Sequence, residues 1–233
     1  MRALITGSNR GIGLEMVTHL ARRGDIVFAG CRHPESESAA DLHALAKQYA
    51  GQVHVITLDV ADPHSIAASV EQVRAHTDAL DLLVNNAGIV DRSESLDTLT
   101  YESLIEIFSS NTFGAVLMFK HYLDMLKRGK RPVAVSISSE YGSLSDKRDG
   151  DLYGYCASKA ALNMFTRTFA FDVARDGIIA FIIDPGWVRT RLSSPEATLS
   201  TDESVTGMLK IIDRATPADR GKYYRWNGSQ MPW

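Results

Sequence analysis

The stretch TGSNRGIG, Thr6 to Gly13, begins at the end of the apolar run ALIT and opens into a segment of helical period, GLEMVTHLARRG. Gly7, Gly11 and Gly13 allow a tight turn, close approach of the backbone to a ligand and close packing of helix on strand. The helix N-terminus that follows presents unpaired N–H groups and positive potential, a setting suited to phosphate. The turn lacks the Lys-Ser/Thr pair that holds a nucleoside triphosphate and its magnesium, so a dinucleotide is the better ligand. Glycine turns alone are weak signals, and the weight here comes from position, directly after the first strand of an alternating chain.

Outward from that turn, β-branched runs alternate with helical segments. DIVFAG precedes AADLHALAKQYA, VHVITL precedes PHSIAASVEQVRAH, and LDLLV precedes a helix-like stretch from Tyr101 to Lys127. VAVSIS, a helical stretch from about Leu152 to Asp176, and IIAFIID before Pro185 continue the order. This is the βαβ signature, and nearly unbroken apolar strands indicate a parallel sheet covered on both faces. The expected fold is α/β: a Rossmann-type doubly wound parallel sheet of about seven strands with helices on both faces. One domain is expected over residues 1–233. Asp62 before Pro63 reads as a helix start, the acid capping and the proline at the first helical position. Two loops follow strands where ligands bind in such sheets, 140–151 and 191–202. The second is the expected substrate loop, a small lid with Leu192, Pro195 and Leu199 among polar residues.

Composition limits the function classes. Hydrophobic residues make up 45% and charged residues 23% of 233, and the net charge is -3, which gives no argument for a nucleic-acid partner or an anionic membrane surface. No segment is long enough to span a bilayer. Cys31 and Cys156, far apart, form neither a CxxC metal site nor a disulfide framework, and the seven histidines show no metal-ligand spacing, so no metal is expected. The first strand starts at Met1 without a charged leader, and a cytoplasmic protein is expected.

YGYCASKAALN, Tyr153 to Asn163, places Tyr155 and Lys159 four residues apart and hence on one helix face. A phenol ordinarily has a pKa of about 10, and a neighbouring ammonium favours the phenolate, which would bring proton transfer toward working pH. The spacing alone equally allows an incidental pair on a solvated face.

The chain resembles the short-chain dehydrogenase/reductase family on seven motifs in the family's order. They are TGSNRGIG, LDV (Leu58 to Val60), NNAG (Asn85 to Gly88), Asn111 in SSNTFG, Ser139 in ISSEYGS, YCASK, and PGWVRT (Pro185 to Thr190). GIGLEMV, the CR dipeptide and the ending GKYYRWNGSQMPW are most similar to carbonyl-reductase and C-factor-like members. The resemblance implies that Tyr155 exchanges a proton with the substrate oxygen and Ser139 hydrogen-bonds that oxygen. It implies that Lys159 lowers the phenol pKa and binds the nicotinamide ribose, and that Asn111 holds a water linking Lys159 to solvent. Of the adjacent serines, the family's catalytic one is the second, Ser139. For the cofactor it implies the turn Gly7, Ser8, Asn9, Arg10, Gly11, Ile12 and Gly13, with Asp59 and Val60 at the adenine and Asn86, Ala87 and Gly88 on the adenosine ribose side. Pro185, Gly186, Val188 and Thr190 would hold the carboxamide. A homo-oligomer, dimer or tetramer, is expected. Tyr223, Tyr224, Trp226 and Trp233 of the tail remain open between closing a substrate pocket, packing on a second subunit and ordinary tail packing.

FAGCRHPE, Phe28 to Glu35, bears on the choice of cofactor. An acid after the second strand would bond both ribose hydroxyls and repel a 2′-phosphate, but Cys31 is neutral, and Arg32 and Arg10 offer two guanidiniums to that phosphate. NADP(H) is therefore expected, in an oxidoreductase that interconverts a small carbonyl compound and its alcohol. The alternative, a cofactor-binding signalling or interaction protein, has no use for a proton donor.

Overall fold

The computed structural model describes residues 1–193 and 196–233. Pro195 of the expected substrate loop lies outside the described residues. Seven strands form one parallel sheet: β1 (Arg2–Ile5), β2 (Ile26–Cys31), β3 (Val53–Thr57), β4 (Leu82–Asn85), β5 (Val133–Ile137), β6 (Ile179–Asp184) and β7 (Tyr223–Arg225). Their order is β3-β2-β1-β4-β5-β6-β7, which meets the expected Rossmann-type topology. The order reverses between β1 and β4, and a crevice for ligand opens beyond the strand C-termini at that point.

The strands read as continuous apolar runs because alternate side chains enter two cores. Ala3 and Ile5 join one core with α1 (Gly11–Arg22), α2 (Ala40–Gln48) and α7 (Thr201–Arg214). Leu4 joins the other with α3 (Pro63–Arg74), α5 (Gly114–Lys127) and α6 (Tyr153–Asp172). Each fully buried aliphatic side chain contributes about 1.5–3 kcal/mol. Asp62 caps α3 by accepting the His64 N–H at 2.9 Å, with Pro63 at the first position, as its sequence indicates.

The stretch from Tyr101 to Lys127 is not one continuous α-helix. α4 (Tyr101–Phe108) ends in a single π turn, Ser109–Phe113, before α5 begins at Gly114. A Cβ on Gly114 would lie 2.4 Å from the Val60 carbonyl oxygen, so the helix approaches the end of β3 as only glycine permits. The widened turn carries Asn111 into the buried interior.

The aromatic tail packs within its own chain. Tyr223 and Tyr224 lie in β7, the Tyr223 and Trp233 rings are 5.7 Å apart, and Trp233 accepts the Ser145 N–H at 2.7 Å through its carbonyl. Among the described residues no helix is long and apolar enough to cross a membrane.

Candidate active site

The glycine turn is fixed from both sides. A Cβ on Gly13 would sit 2.2 Å from the Gly7 carbonyl oxygen, and Gly7 itself has φ +67°. The Thr6 hydroxyl accepts the N–H groups of Asn86 and Ala87 at 3.0 and 2.9 Å, and the Asn86 amide donates to the Thr6 carbonyl at 2.8 Å. These bonds join the ends of β1 and β4. The N-cap of α1, Arg10, makes no side-chain cap and the first turn carries no acid, so the positive helix end faces the crevice uncompensated.

From this turn a cleft of about 640 Å³ runs to Tyr155. Every candidate site residue lines it except Ser8 and Asn111. Ser8 is fully buried: its N–H bonds the Gly30 carbonyl at 2.9 Å and its hydroxyl donates to Ile5 at 2.8 Å. It therefore shapes the turn and is removed from the set of residues facing the cleft. At the end of β2, Cys31 is buried, whereas Arg10 and Arg32 are exposed, and neither guanidinium has an ion-pair partner among the described residues. Asp59 accepts the Ala61 N–H at 2.9 Å through its carboxylate.

At the other end, Ser139 follows β5 and opens a 3-10 turn, Glu140–Gly142, that packs on α6. A Cβ on Gly142 would come within 3.0 Å of the Lys159 backbone. The Tyr223 phenol donates to the Ser139 carbonyl, so the tail strand holds the serine turn from behind. Tyr155 and Lys159 project from one face of α6, with the Lys159 ammonium 5.8 Å from the centre of the Tyr155 ring.

Burial pushes the Tyr155 phenol up to about 12, while the hydrogen bond with Ser139 pulls it down. Burial lowers Lys159 to about 8, and its ammonium donates to the Ile137 carbonyl at 2.9 Å. Burial is the largest influence on the Tyr155 phenol, and the hydrogen bond with Ser139 is the leading one that opposes it. Desolvation dominates both groups, favouring the neutral phenol and weakening the ammonium's hold on its own proton.

Asn111 stands behind the cleft. Its Oδ1 accepts the Ile89 N–H at 2.8 Å, and its amide donates to the Ile89 carbonyl at 2.9 Å and to Ser158 Oγ at 3.0 Å. A Cβ on Gly88 would fall 3.1 Å from Asn111 Oδ1 and 3.5 Å from Lys159 Nζ, so glycine leaves the space between them open. Asn111 brackets the loop after β4 to the active-site helix.

The family model for short chain dehydrogenase matches residues 1–199. The chain belongs to the short chain dehydrogenase family. Among its relatives, C-signal of Myxococcus xanthus is 34% identical over 157 residues, 67% of this chain and 95% of that protein. The NADPH-bound carbonyl reductase from chicken fatty liver is 35% identical with a TM-score of 0.94, covering 100% of this chain and 98% of that one. The carbonyl reductase Sniffer of D. melanogaster is 27% identical, also with a TM-score of 0.94, covering 100% and 99%.

The fold also brings to the cleft, or to the elements beside it, residues that the sequence did not single out. Glu94 reaches the start of α6, Asp41 borders the cleft from the first turn of α2, and Asp184 borders it from the end of β6. Arg92 donates through Nε and Nη2 to the Leu192 carbonyl at 2.9 and 2.5 Å, joining the loop after β4 to the substrate loop. Glu94 and Arg92 bond to partners 60 and 100 residues away, and no local pattern announces contacts of that kind. Glu15, which borders the cleft, joins His19 and Asp202 in a histidine–carboxylate cluster whose side-chain N and O atoms lie within 4.8 Å of one another and link α1 to α7.

Proposed function

We propose that this short-chain dehydrogenase is an NADP(H)-dependent carbonyl reductase in which Tyr155 delivers the proton. The observation that carries the reading is the meeting of Ser139, Tyr155 and Lys159 at one end of a cleft whose other end is the glycine turn. The residues fit a dinucleotide phosphate. Gly13 admits no Cβ, the first turn of α1 holds no acid, and Arg10 and Arg32 lie at the cleft without ion-pair partners among the described residues. The likeness to an NADPH-bound carbonyl reductase over the full chain supports the same assignment.

When bound, NADPH supplies the hydride. The chain's residues do the rest. Tyr155, neutral at working pH because burial pushes it up to about 12, gives its proton to the carbonyl oxygen. Ser139 donates a hydrogen bond to that oxygen as charge develops. Lys159 holds the ribose hydroxyls, and Pro185, Gly186, Val188 and Thr190 orient the carboxamide. Val90, Tyr141, Leu152, Trp187 and Leu192 give the reacting end of the cleft an apolar lining, which favours an aromatic or branched carbonyl over a sugar.

The test is a panel of aldehydes, ketones, quinones and secondary alcohols followed by nicotinamide absorbance with both cofactors. NADPH-linked reduction of at least one apolar carbonyl is expected. Tight NADPH binding with no turnover across the panel would contradict the reading and favour a cofactor-sensing role.

A further inference from the structure

Asp184 ends β6 and is 2% exposed, yet it borders the cleft between the serine turn and the Pro185–Gly186 turn. One carboxylate oxygen, Oδ1, accepts the N–H of Glu140 at 3.1 Å and the N–H of Gly186 at 3.2 Å. The two donors belong to different segments. Glu140 directly follows Ser139, and Gly186 lies in the run assigned to the nicotinamide carboxamide. The second oxygen, Oδ2, has no hydrogen-bond partner and faces Arg225 Nε at 3.4 Å. Arg225 also donates to Glu140 at 3.2 Å. The charged and titratable groups facing Asp184 are therefore Arg225 and Tyr223 from β7, Glu140 from the serine turn and Tyr155 from α6.

We propose that Asp184 is a positioning residue of the active site, holding the turn that carries Ser139 and the loop that carries Gly186 in register through one shared carboxylate oxygen. This rests on the carbonyl-reductase reading above. Ser139 addresses the reacting oxygen and the Gly186 loop orients the hydride donor, so their relative placement sets the alignment of the two transfers. A misplacement of about 1 Å can lower a rate by about 10²-fold. The loop has little slack: Gly186 has φ +78°, and a Cβ there would lie 2.6 Å from Leu199 and 2.7 Å from Trp226.

The carboxylate is retained at a cost to the fold. Burial pushes Asp184 up to about 6, against the Gly186 N–H and the Arg225 charge, which pull it down. A folded pKa above the ordinary carboxylate value means that stability is fully present below about pH 4 and is lost as pH rises through 6. Asparagine has the same shape, keeps an Oδ1 acceptor and carries no charge.

The experiment compares the parent, Asp184→Asn and Asp184→Ala. It measures the Tm of the cofactor-free protein from pH 5 to 8, NADPH affinity by fluorescence, and NADPH oxidation with benzaldehyde at pH 7.5. Asp184→Ala is expected to lose kcat by roughly 10- to 100-fold and to weaken NADPH several-fold, while Asp184→Asn stays within about threefold of the parent in both. The margin by which the Tm of Asp184→Asn exceeds the parent's should widen as pH rises from 5 to 8, because the parent loses stability through that window. Parent-like kcat and NADPH affinity in Asp184→Ala would overturn the proposal. Equal losses in both variants would also overturn it, since the shared acceptor would then not be the working feature. A loss of Tm and of NADPH affinity in Asp184→Ala no greater than in Asp184→Asn overturns it without reference to turnover. A parent that binds NADPH but reduces no carbonyl defeats the proposed function instead, and the affinity and Tm comparisons then decide on Asp184.

Discussion

Both carboxylate oxygens of Glu94 accept the N–H of Gly154, at 3.0 and 2.9 Å, one residue before Tyr155. Leu152, at the N-cap of α6, has φ 51° and makes no side-chain cap, so a buried acid from a distant loop serves the first turn instead. Gly154 is required for this approach, because a Cβ there would lie 2.6 Å from Glu94 Oε1. Leaving that buried N–H without an acceptor costs about 1–3 kcal/mol. Glu94→Ala should therefore lower Tm by roughly 2–10 °C, with a loss of turnover as Tyr155 loosens. Glu94→Gln, which keeps an acceptor oxygen, should recover most of both. Differential scanning calorimetry with initial rates on the same samples checks this, and an Ala variant as stable and active as Gln would remove Glu94 from the account.

Cofactor choice turns on the end of β2. Arg32 is exposed at the cleft beside the buried, neutral Cys31. A partly exposed charge-assisted contact is worth about 1.5–3 kcal/mol, roughly ten- to a hundredfold in affinity. Arg32→Ala should weaken NADPH by that factor and leave NADH unchanged. Cys31→Asp should move the preference toward NADH by repelling the 2′-phosphate. Asp41 borders the same cleft, so Asp41→Asn should tighten NADPH modestly. Fluorescence titration with both cofactors is the measurement. Equal affinity of the parent for the two would refute this assignment while leaving the catalytic one intact.

The pH dependence follows from two shifted groups. Tyr155 keeps its proton until about pH 12, and Lys159 keeps its charge only below about 8. Because kcat/KM reports the free enzyme, kcat/KM for NADPH in carbonyl reduction should hold from neutrality to about pH 8 and decline above it as Lys159 loses its charge. A profile flat to pH 10 would show that the Lys159 charge takes no part.

The strands and most helices were legible because their signals are local. β2 follows the apolar run DIVFAG and extends one residue beyond it to include Cys31, and α3 starts at Pro63 behind its Asp62 cap, as capping chemistry indicates. The break between α4 and α5 was not legible, since Ser109 to Phe113 continues the helical period and the contact that places Gly114 belongs to Val60. At the site, motif order singled out the residues that line the cleft. It could not separate Ser8, whose hydrogen bonds point into the turn, from its neighbours Gly7 and Asn9, which face the cleft. Glu94, Asp184 and the Tyr223 grip on Ser139 depend on tertiary hydrogen bonds and were invisible for that reason.

Tyr155 is the proposed proton donor in carbonyl reduction. Tyr155→Phe keeps the ring that packs beside Tyr141 and removes only the hydroxyl. The direct measurement is the rate of NADPH oxidation by this variant at saturating NADPH and carbonyl, beside its NADPH affinity. Affinity near the parent's and a rate lower by on the order of 10²–10⁴-fold are expected. A rate within a few-fold of the parent's, with the cofactor still bound, would contradict it.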